Sequence, residues 1–383
     1  MSSRKLRLLA YGEGIGSGGY LRYCKGLFGS GAAPADVDIF FVCSPELHER
    51  IKPLDHNVEV IIEPWISSAS RIRRYLWHGA FYQRLAGNIH ADVEFYPSGR
   101  VRNYLRRPRT ITTCHNLLLF DAREMRQFKG KRLRDFQRYR AWQVRSLRRA
   151  SATIFLSPHS QRLVCAEIPD LRNTTVIPHG LDSEFLRRGP PRRETHGVER
   201  LLCVSSVQHY KNLPGLVAAV AEVRRLRSWN LHLQIVGGAD ADALRSLRAA
   251  IANNRAEGYV HLMGEVAHSD LVEEYGRADA FVFPSSCETF GISLLEAMGM
   301  GVPIVCSNKS GLPELLGGGG VYFDPFDGGS IVHALQEIVS NAKVRSEVAA
   351  VAHQRAREYT WKRAAEMTFD FARKVSKIGA RIS

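Results

Sequence analysis

The chain has 383 residues, 45% of them hydrophobic and 24% charged, the composition of a folded protein with room for two domains of ordinary size. No apolar run approaches the roughly 20 residues that cross a bilayer, and the opening "MSSRKLRLLAYGEG" lacks the length and small-residue cleavage site of a secretory signal, so a cytoplasmic protein is expected. The net charge of +15 is uneven: residues 1–190 carry 31 Lys+Arg against 17 Asp+Glu and residues 191–383 carry 22 against 21, which gives the first half a field that attracts nucleic acid, an acidic membrane surface or a phosphorylated or acidic acceptor.

In chain order, "LRLLAY" reads as a first strand, and the stretch behind it, "GEGIGSGGY", satisfies G-x-G-x-x-G with Gly14, Gly16 and Gly19. A dinucleotide site needs an acidic residue about 20 positions onward, at the end of the second strand. "VDIFFVCSPELHER" offers only Cys43 and Ser44 there, with Glu46 already in a helix start, so that fingerprint is incomplete. Further strands follow at "VEVIIEP", "ADVEFYPS", "RTITTCH", "SATIFLSP" and "TTVIPHG". Two basic stretches lie among them. "RIRRYLWHGAFYQRL" (71–85) mixes arginines with aromatics, and "KGKRLRDFQRYRAWQVRSLRRA" (129–150) sets Leu133, Phe136, Val144 and Leu147 on one helical face, with Arg140 in the same stripe. Each reads as a domain helix with a solvated basic face or as an interfacial helix on an anionic membrane. Arginine with aromatics also suits single-stranded nucleic acid, but no recognisable RNA-binding motif is present and nucleic acid is not the expected partner.

The segment "LRRGPPRRETHGVER" (186–200) reads as a linker from its Pro-Pro and dense charge. After it the strand rhythm resumes with "RLLCVSSV", "LHLQIVGG", "YVHLMGE", "ADAFVFPS", "GVPIVCS" and "GVYFD". Strands this apolar and β-branched, alternating with helices, predict two doubly wound parallel sheets, whose ligands bind beyond the carboxyl ends of the strands. The seven cysteines, Cys24, Cys43, Cys114, Cys165, Cys203, Cys287 and Cys306, are scattered and contain no C-x-x-C pair, so neither disulfides nor structural zinc are expected.

Chemistry concentrates in "ADAFVFPSSCETFGISLLEAMGMGVPIVCS". "GISLLEAMGMG" reads as a short helix that begins near Gly291 and stops at Gly299 or Gly301. Glu288 and Glu296 stand eight apart, about 800° of helical turn, so they do not share a face. Glu288 belongs in the loop ahead of the helix and Glu296 inside it. The N–H groups of Phe290, Gly291 and Ile292, with the positive end of the helix dipole, make an anion site suited to a diphosphate. A carboxylate such as Glu296 accepts from two vicinal hydroxyls of a ribose. That role requires Glu296 to lie at an opening.

"FPSSCETFGISLLEAMGMGVPIV" resembles the signature of glycosyltransferase family 4, and the resemblance extends over most of the chain. It implies the GT-B architecture: two Rossmann-like domains facing across a cleft, 1–188 for the acceptor and 189–358 for a nucleoside diphosphate sugar, with the helix of 359–383 able to cross back to the first. It also implies transfer with retained configuration and no metal ion. "CVSSVQHYKNLPGLVAAV" (203–220) resembles the strand and loop bearing the family's Lys-Asn pair, so Lys211 neutralises the donor diphosphate in the transition state. Ser206 stands where the family commonly has an arginine. "TTCHNLLLF" (112–120) resembles the family's His-Asp turn, with Asn116 for Asp, and implies that His115 hydrogen-bonds the donor sugar or eases departure of the phosphate. "VIPHGLD" (176–182) carries His179 where Asn is usual, in a turn role. In "FLSPHSQRLV" (155–164), Ser157 or Ser160 is expected to cap a helix. Gly18 and Gly19 match a Gly-Gly pair that lets the backbone approach donor phosphate and acceptor. Glu288 positions the sugar ring. Family members often act on lipid-linked acceptors, which favours a peripheral membrane position, and the resemblance suggests mannose from GDP-mannose in surface polysaccharide or lipopolysaccharide synthesis. Two other readings stay open: a nicotinamide-dependent dehydrogenase using Gly14, Gly16 and Gly19, and a catalytically dead module that binds membrane or nucleic acid.

Overall fold

A computed structural model describes residues 4–13, 18–68, 70–101, 109–187 and 198–378. Gly14 and Gly16 of the glycine motif, and residues 188–197 of the expected linker, lie outside these. Each run predicted as a strand is one. The first sheet holds β1 (Leu6–Gly12), β2 (Val37–Cys43), β3 (Val58–Ile62), β4 (Val93–Tyr96), β5 (Arg109–Cys114), β6 (Ala152–Phe155) and β7 (Thr174–Val176), in the order β3-β2-β1-β4-β5-β6-β7. The second holds β8 (Arg200–Val204), β9 (His232–Val236), β10 (Val260–Gly264), β11 (Ala280–Phe283), β12 (Ile304–Ser307) and β13 (Val321–Phe323), in the order β10-β9-β8-β11-β12-β13. The strand pairs of both sheets are parallel; Leu8 aligns with Val93 between β1 and β4, and Ala280 with Leu201 between β11 and β8.

The strand orders place the functional loops. In the first sheet the chain runs outward from β1 through β2 to β3 and then returns to the other side of β1 with β4. The second sheet makes the same reversal between β8 and β11. Open α/β sheets bind ligands beyond the strand ends at such reversals, because the two loops diverge there and leave a crevice. His115 follows β5, Lys211 follows β8 and Glu288 follows β11.

The chain divides into two units, Met1–Gly180 with Thr360–Ser383, and Leu181–Tyr359. The first division thus falls just ahead of the 188/189 boundary expected from the linker. The second sheet is enclosed by apolar side chains including Leu201, Leu233, Val282, Val305 and Leu335. In the first unit, Tyr11, Trp77, Tyr82 and Tyr96 form an aromatic cluster over β1 and β4. The helix Trp361–Ser376 buries Trp361, Ala364, Ala365, Thr368, Phe369, Ala372 and Val375, a single stripe of period 3.6. That stripe packs on the helix Gly18–Phe28 so closely that a Cβ at Gly26 would fall 2.1 Å from the Trp361 ring. Arg373 pairs with Asp36 at 2.6 Å and Arg109 donates to the Ser376 carbonyl, so the helix is an integral layer of the first unit.

Two helical expectations change. The helix Gly130–Arg149 buries Gln143, Ser146 and Leu147, while Leu133, Phe136 and Val144 are half-buried. Two polar side chains are on the inner face because Ser146 Oγ accepts from Val101 N at 2.6 Å and donates to the Gly99 carbonyl at 2.9 Å. Arg140 is half-buried in the same stripe, over the Phe120 ring at 5.7 Å, and hydrogen-bonds Glu167 at 2.6 Å. The basic stretch 71–85 contains a π-helical turn, Trp77–Phe81, between the helices Arg71–Leu76 and Tyr82–Ile89. It buries Trp77 and His78 and exposes Ile72, Leu76 and Phe81. Ser157 is the expected cap, accepting from Ser160 N at 3.2 Å. All seven cysteines are free thiols, and six are buried. Among the described residues no helix is long and apolar enough to cross a membrane.

Candidate functional site

In the second unit, β8 ends in a tight loop that delivers Lys211. A 3-10 turn, His209–Lys211, is followed by Asn212 in the left-handed region (φ 48°), and Pro214 then starts the helix Leu213–Arg227. Asn212 tolerates that conformation and is anchored by Nδ2 donating to the Pro325 carbonyl at 2.5 Å. Behind the loop, Gly237 at φ 145° lies so close that a Cβ there would be 2.3 Å from the Ser205 carbonyl oxygen and 3.0 Å from Ser206 N. Ser206 is half-buried.

The loop after β11 carries Glu288 and is stitched to the β8 loop by backbone. Ser286 N and Oγ both donate to the Tyr210 carbonyl, at 2.8 and 3.0 Å. Ser310 Oγ accepts from Glu288 N at 3.1 Å and donates to the Ser286 carbonyl at 3.2 Å. With both loops fixed, Lys211 Nζ donates to Glu288 Oε1, and their side chains are 11% and 13% exposed. Burial alone lowers the ammonium's pKa, but the Glu288 carboxylate, helped by Tyr210, outweighs it and holds Lys211 above its ordinary value. Lys211 is a permanent cation at neutral pH, and its remaining N–H donors suit phosphate oxygens.

Beyond Glu288 the chain turns into the helix Ile292–Gly299. Gly291 precedes it at φ 99°, and no side chain caps its start. Phe290 is buried against Tyr359, with ring centroids 6.0 Å apart. The amides at this start are backbone donors at the positive end of the helix, as the sequence predicted. Glu296 lies inside the helix but is 2% exposed, more enclosed than expected of a residue at an opening. Tyr275 donates to its Oε2 at 3.0 Å, and His268 Nδ1 stands 3.9 Å from its Oε1 with a side chain 37% exposed. Sequence reasoning missed Ser310, His268 and Tyr275. Only folding brings them to the two glutamates.

His115, in the first unit, is the first residue after β5. Its Nε2 donates to the Pro97 carbonyl at 2.7 Å, which in the neutral ring makes Nδ1 the acceptor. Tyr23 and His179 pack on it at 4.9 and 5.8 Å between ring centroids. Burial lowers its pKa to about 4 against the partial counterweight of the Pro97 bond. Neutral His115 therefore suits acceptance from a sugar hydroxyl better than donation to a phosphate. His179 is buried against Tyr23 and Trp361, and burial, then His115 and Arg22, holds its pKa well below the ordinary value. Gly18 and Gly19 begin the helix Gly18–Phe28. At the end of β2, where a dinucleotide site needs an acid, Ser44 instead caps the next helix by accepting from Leu47 N at 3.3 Å. Among the described residues no group of three or more His, Cys, Asp or Glu is placed to hold a metal ion.

Comparison with known proteins places these loops in context. Residues 29–185 match the family described as Glycosyltransferase Family 4, and residues 190–356 match Glycosyl transferases group 1. The O-antigen chain mannosyltransferase B of Escherichia coli is 32% identical over 172 residues, 44% of this chain and 44% of its own length. The chain thus aligns with about half the length of the curated relatives it matches. Sucrose-phosphate synthase from Thermosynechococcus elongatus superposes with a TM-score of 0.74 at 18% identity, over 97% of this chain and 99% of that one. The Anabaena protein HepE in complex with UDP and glucose gives 0.71 at 17% identity, over 96% of this chain and 100% of that one.

Proposed function

The chain belongs to glycosyltransferase family 4 and has the GT-B fold, and from that premise we propose that it moves a hexosyl unit from a nucleoside diphosphate sugar to a saccharide or lipid-linked saccharide, with retention of configuration and without a metal ion. The observation that carries this reading is the Lys211–Glu288 pair, set by two stitched loops at the reversal of the second sheet and followed by an uncapped helix start. In the reaction the bond between the anomeric carbon and the phosphate oxygen breaks, and the acceptor hydroxyl bonds to the same face of that carbon. Its proton passes to the leaving phosphate. Lys211 and the amides of Phe290, Gly291 and Ile292 stabilise the charge that develops on the diphosphate, an effect that is largest in the transition state. Glu288 orients the sugar ring and His115 accepts from a sugar hydroxyl; the ribose role read for Glu296 needs an opening that its 2% exposure does not give.

The first unit supplies the acceptor contacts. Arg100 lies over the stacked rings of Tyr139 and Trp142, at 5.8 and 5.4 Å, and pairs with Glu13 at 3.7 Å, a combination of aromatic face, cation and carboxylate suited to a saccharide. Mannose from GDP-mannose is the proposed donor, supported by the name of the E. coli relative, and surface polysaccharide synthesis is the proposed setting. The exposed Ile72, Leu76 and Phe81 in the basic half support a peripheral position on an anionic membrane at the cytoplasmic face.

The test is release of nucleoside diphosphate from a panel of UDP-, GDP- and ADP-hexoses with saccharide acceptors, in chelator, with the product's anomeric configuration read by NMR. Wild type should turn over one donor with retention, and Glu288→Gln should not. A wild type as inert as the variant on every donor, or an inverted product, contradicts the proposal.

A further inference from the structure

Ser310 lies in the loop between β12 and the helix Leu312–Leu316, half-buried, with its backbone in the left-handed region at φ 56°. Residues with a Cβ seldom adopt that conformation, and holding one there costs free energy. Glycine would take it without strain, so the hydroxyl is what serine adds at this position.

That hydroxyl bridges two peptide groups. It accepts from Glu288 N at 3.1 Å and donates to the Ser286 carbonyl at 3.2 Å, and these two groups flank Cys287. Ser286 in turn donates through N and Oγ to the Tyr210 carbonyl, which belongs to the peptide leading into Lys211. A chain of hydrogen bonds through two serines thus runs from the backbone of Lys211 to the backbone of Glu288, beside the ion pair their side chains make. The Ser310 end of the chain is held from its own loop, where Lys309 N donates to Ser307 Oγ at 3.2 Å and Lys309 Nζ pairs with Asp324 at 2.8 Å. The N–H that Ser310 grips is one Cα away from the Glu288 side chain, so the bond governs where that carboxylate stands.

We propose that Ser310 is the positioning residue of the Lys211–Glu288 pair: its hydroxyl fixes the Glu288 peptide so that the carboxylate meets the ammonium and the donor's sugar ring. The sugar contact rests on the donor reading above; the effect on the pair does not.

The experiment compares Ser310→Ala and Ser310→Gly with wild type in the full chain by thermal melting, by acylation of Lys211 with the N-hydroxysuccinimide ester of acetate read by mass spectrometry, and by turnover of the donor that wild type uses. Both variants lack the hydroxyl, and only glycine relieves the backbone. Melting should therefore rank Ser310→Gly above Ser310→Ala, whereas the other two readouts should not separate them. In both, Lys211 should acylate about tenfold faster than in wild type at pH 9, because a loosened carboxylate supports the buried ammonium less and a fall of one unit in its pKa frees about tenfold more amine. In both, kcat should fall about tenfold with KM changed less than about twofold, the signature of a displaced catalytic group. A residue that only shapes the loop would give rates that follow melting. Wild-type labelling and kcat in folded Ser310→Gly overturn the assignment. If wild type turns over no donor, the donor reading fails, and Lys211 labelling alone decides the role of Ser310: faster in both variants supports it, unchanged overturns it.

Discussion

The ammonium of Lys211 is hydrogen-bonded to the carboxylate of Glu288, residues 77 apart in sequence that meet because β8 and β11 are neighbours at the reversal of the second sheet. The pair is largely buried, so each charge depends on the other. Lys211→Met should leave Glu288 uncompensated and cost the second unit about 3–5 kcal/mol, whereas Lys211→Met with Glu288→Leu should recover most of that loss. Either change should lower kcat by about 10²–10³. Urea titration and donor turnover measure the two effects separately. The Lys211 pKa is raised, so the pair's contribution is complete below the ordinary lysine value and is lost only as pH climbs through the elevated one. Stability of the second unit should therefore be indifferent to this pair between pH 6 and 9, roughly.

In the proposed reaction His115 acts in its neutral form. With a folded pKa of about 4, below the ordinary 6.5, it adds stability to the first unit that is whole above the unfolded value and is lost as pH falls toward 4. His179, also depressed, acts in the same direction. Thermal scans of wild type should show Tm falling across that window, with a shallower fall in His115→Gln. Between about pH 5.5 and 8 the same variant should lower kcat without changing the shape of the pH profile, because His115 does not titrate there.

The sequence resemblance matches Ser206 to a position where the family commonly carries an arginine, and the loop that holds it is bounded by Gly237. Ser206→Arg adds a fork of donors beside Lys211 and should tighten nucleoside diphosphate binding about tenfold. Calorimetric titration checks it. Unchanged affinity would mean that the diphosphate does not lie against this loop.

Ile72, Leu76 and Phe81 are exposed in a basic half. The full chain should sediment with vesicles containing phosphatidylglycerol and not with neutral phosphatidylcholine vesicles. The triple change Ile72→Ser, Leu76→Ser, Phe81→Ser should reduce binding at least tenfold, at roughly 25 cal/mol per Å² of apolar surface withdrawn. Retained binding in the variant would assign the attraction to charge alone.

The thirteen strands of the described residues were legible because sheets covered on both faces need continuous apolar, β-branched runs such as "FFVC" and "AFVF". The helix Ile292–Gly299 was legible from its flanking glycines, both of which have positive φ: Gly291 at 99° and Gly301 at 64°. The helix Gly130–Arg149 was misread in detail because an apolar stripe cannot reveal that Ser146 is drawn inward by hydrogen bonds to Val101 and Gly99. The division at Gly180 was hidden for a similar reason. Gly180 backs onto the Trp361 backbone, where a Cβ would fall 2.1 Å from Trp361 N, and only the folded first unit brings those residues together. At the site, motif resemblance singled out Lys211, Glu288 and Glu296 individually. Their partners Ser310, Tyr275 and His268 belong to no motif and are assembled by sheet order.

In the proposed function the loops after β8 and β11 and the helix start at Gly291 hold a nucleoside diphosphate. Hydrogen exchange of the full chain, with and without saturating UDP, GDP or ADP, tests it most directly. One of these nucleotides should protect residues 205–212 and 286–296. Exchange unchanged by all three, or protection confined to residues 12–20 of the first unit, would contradict it.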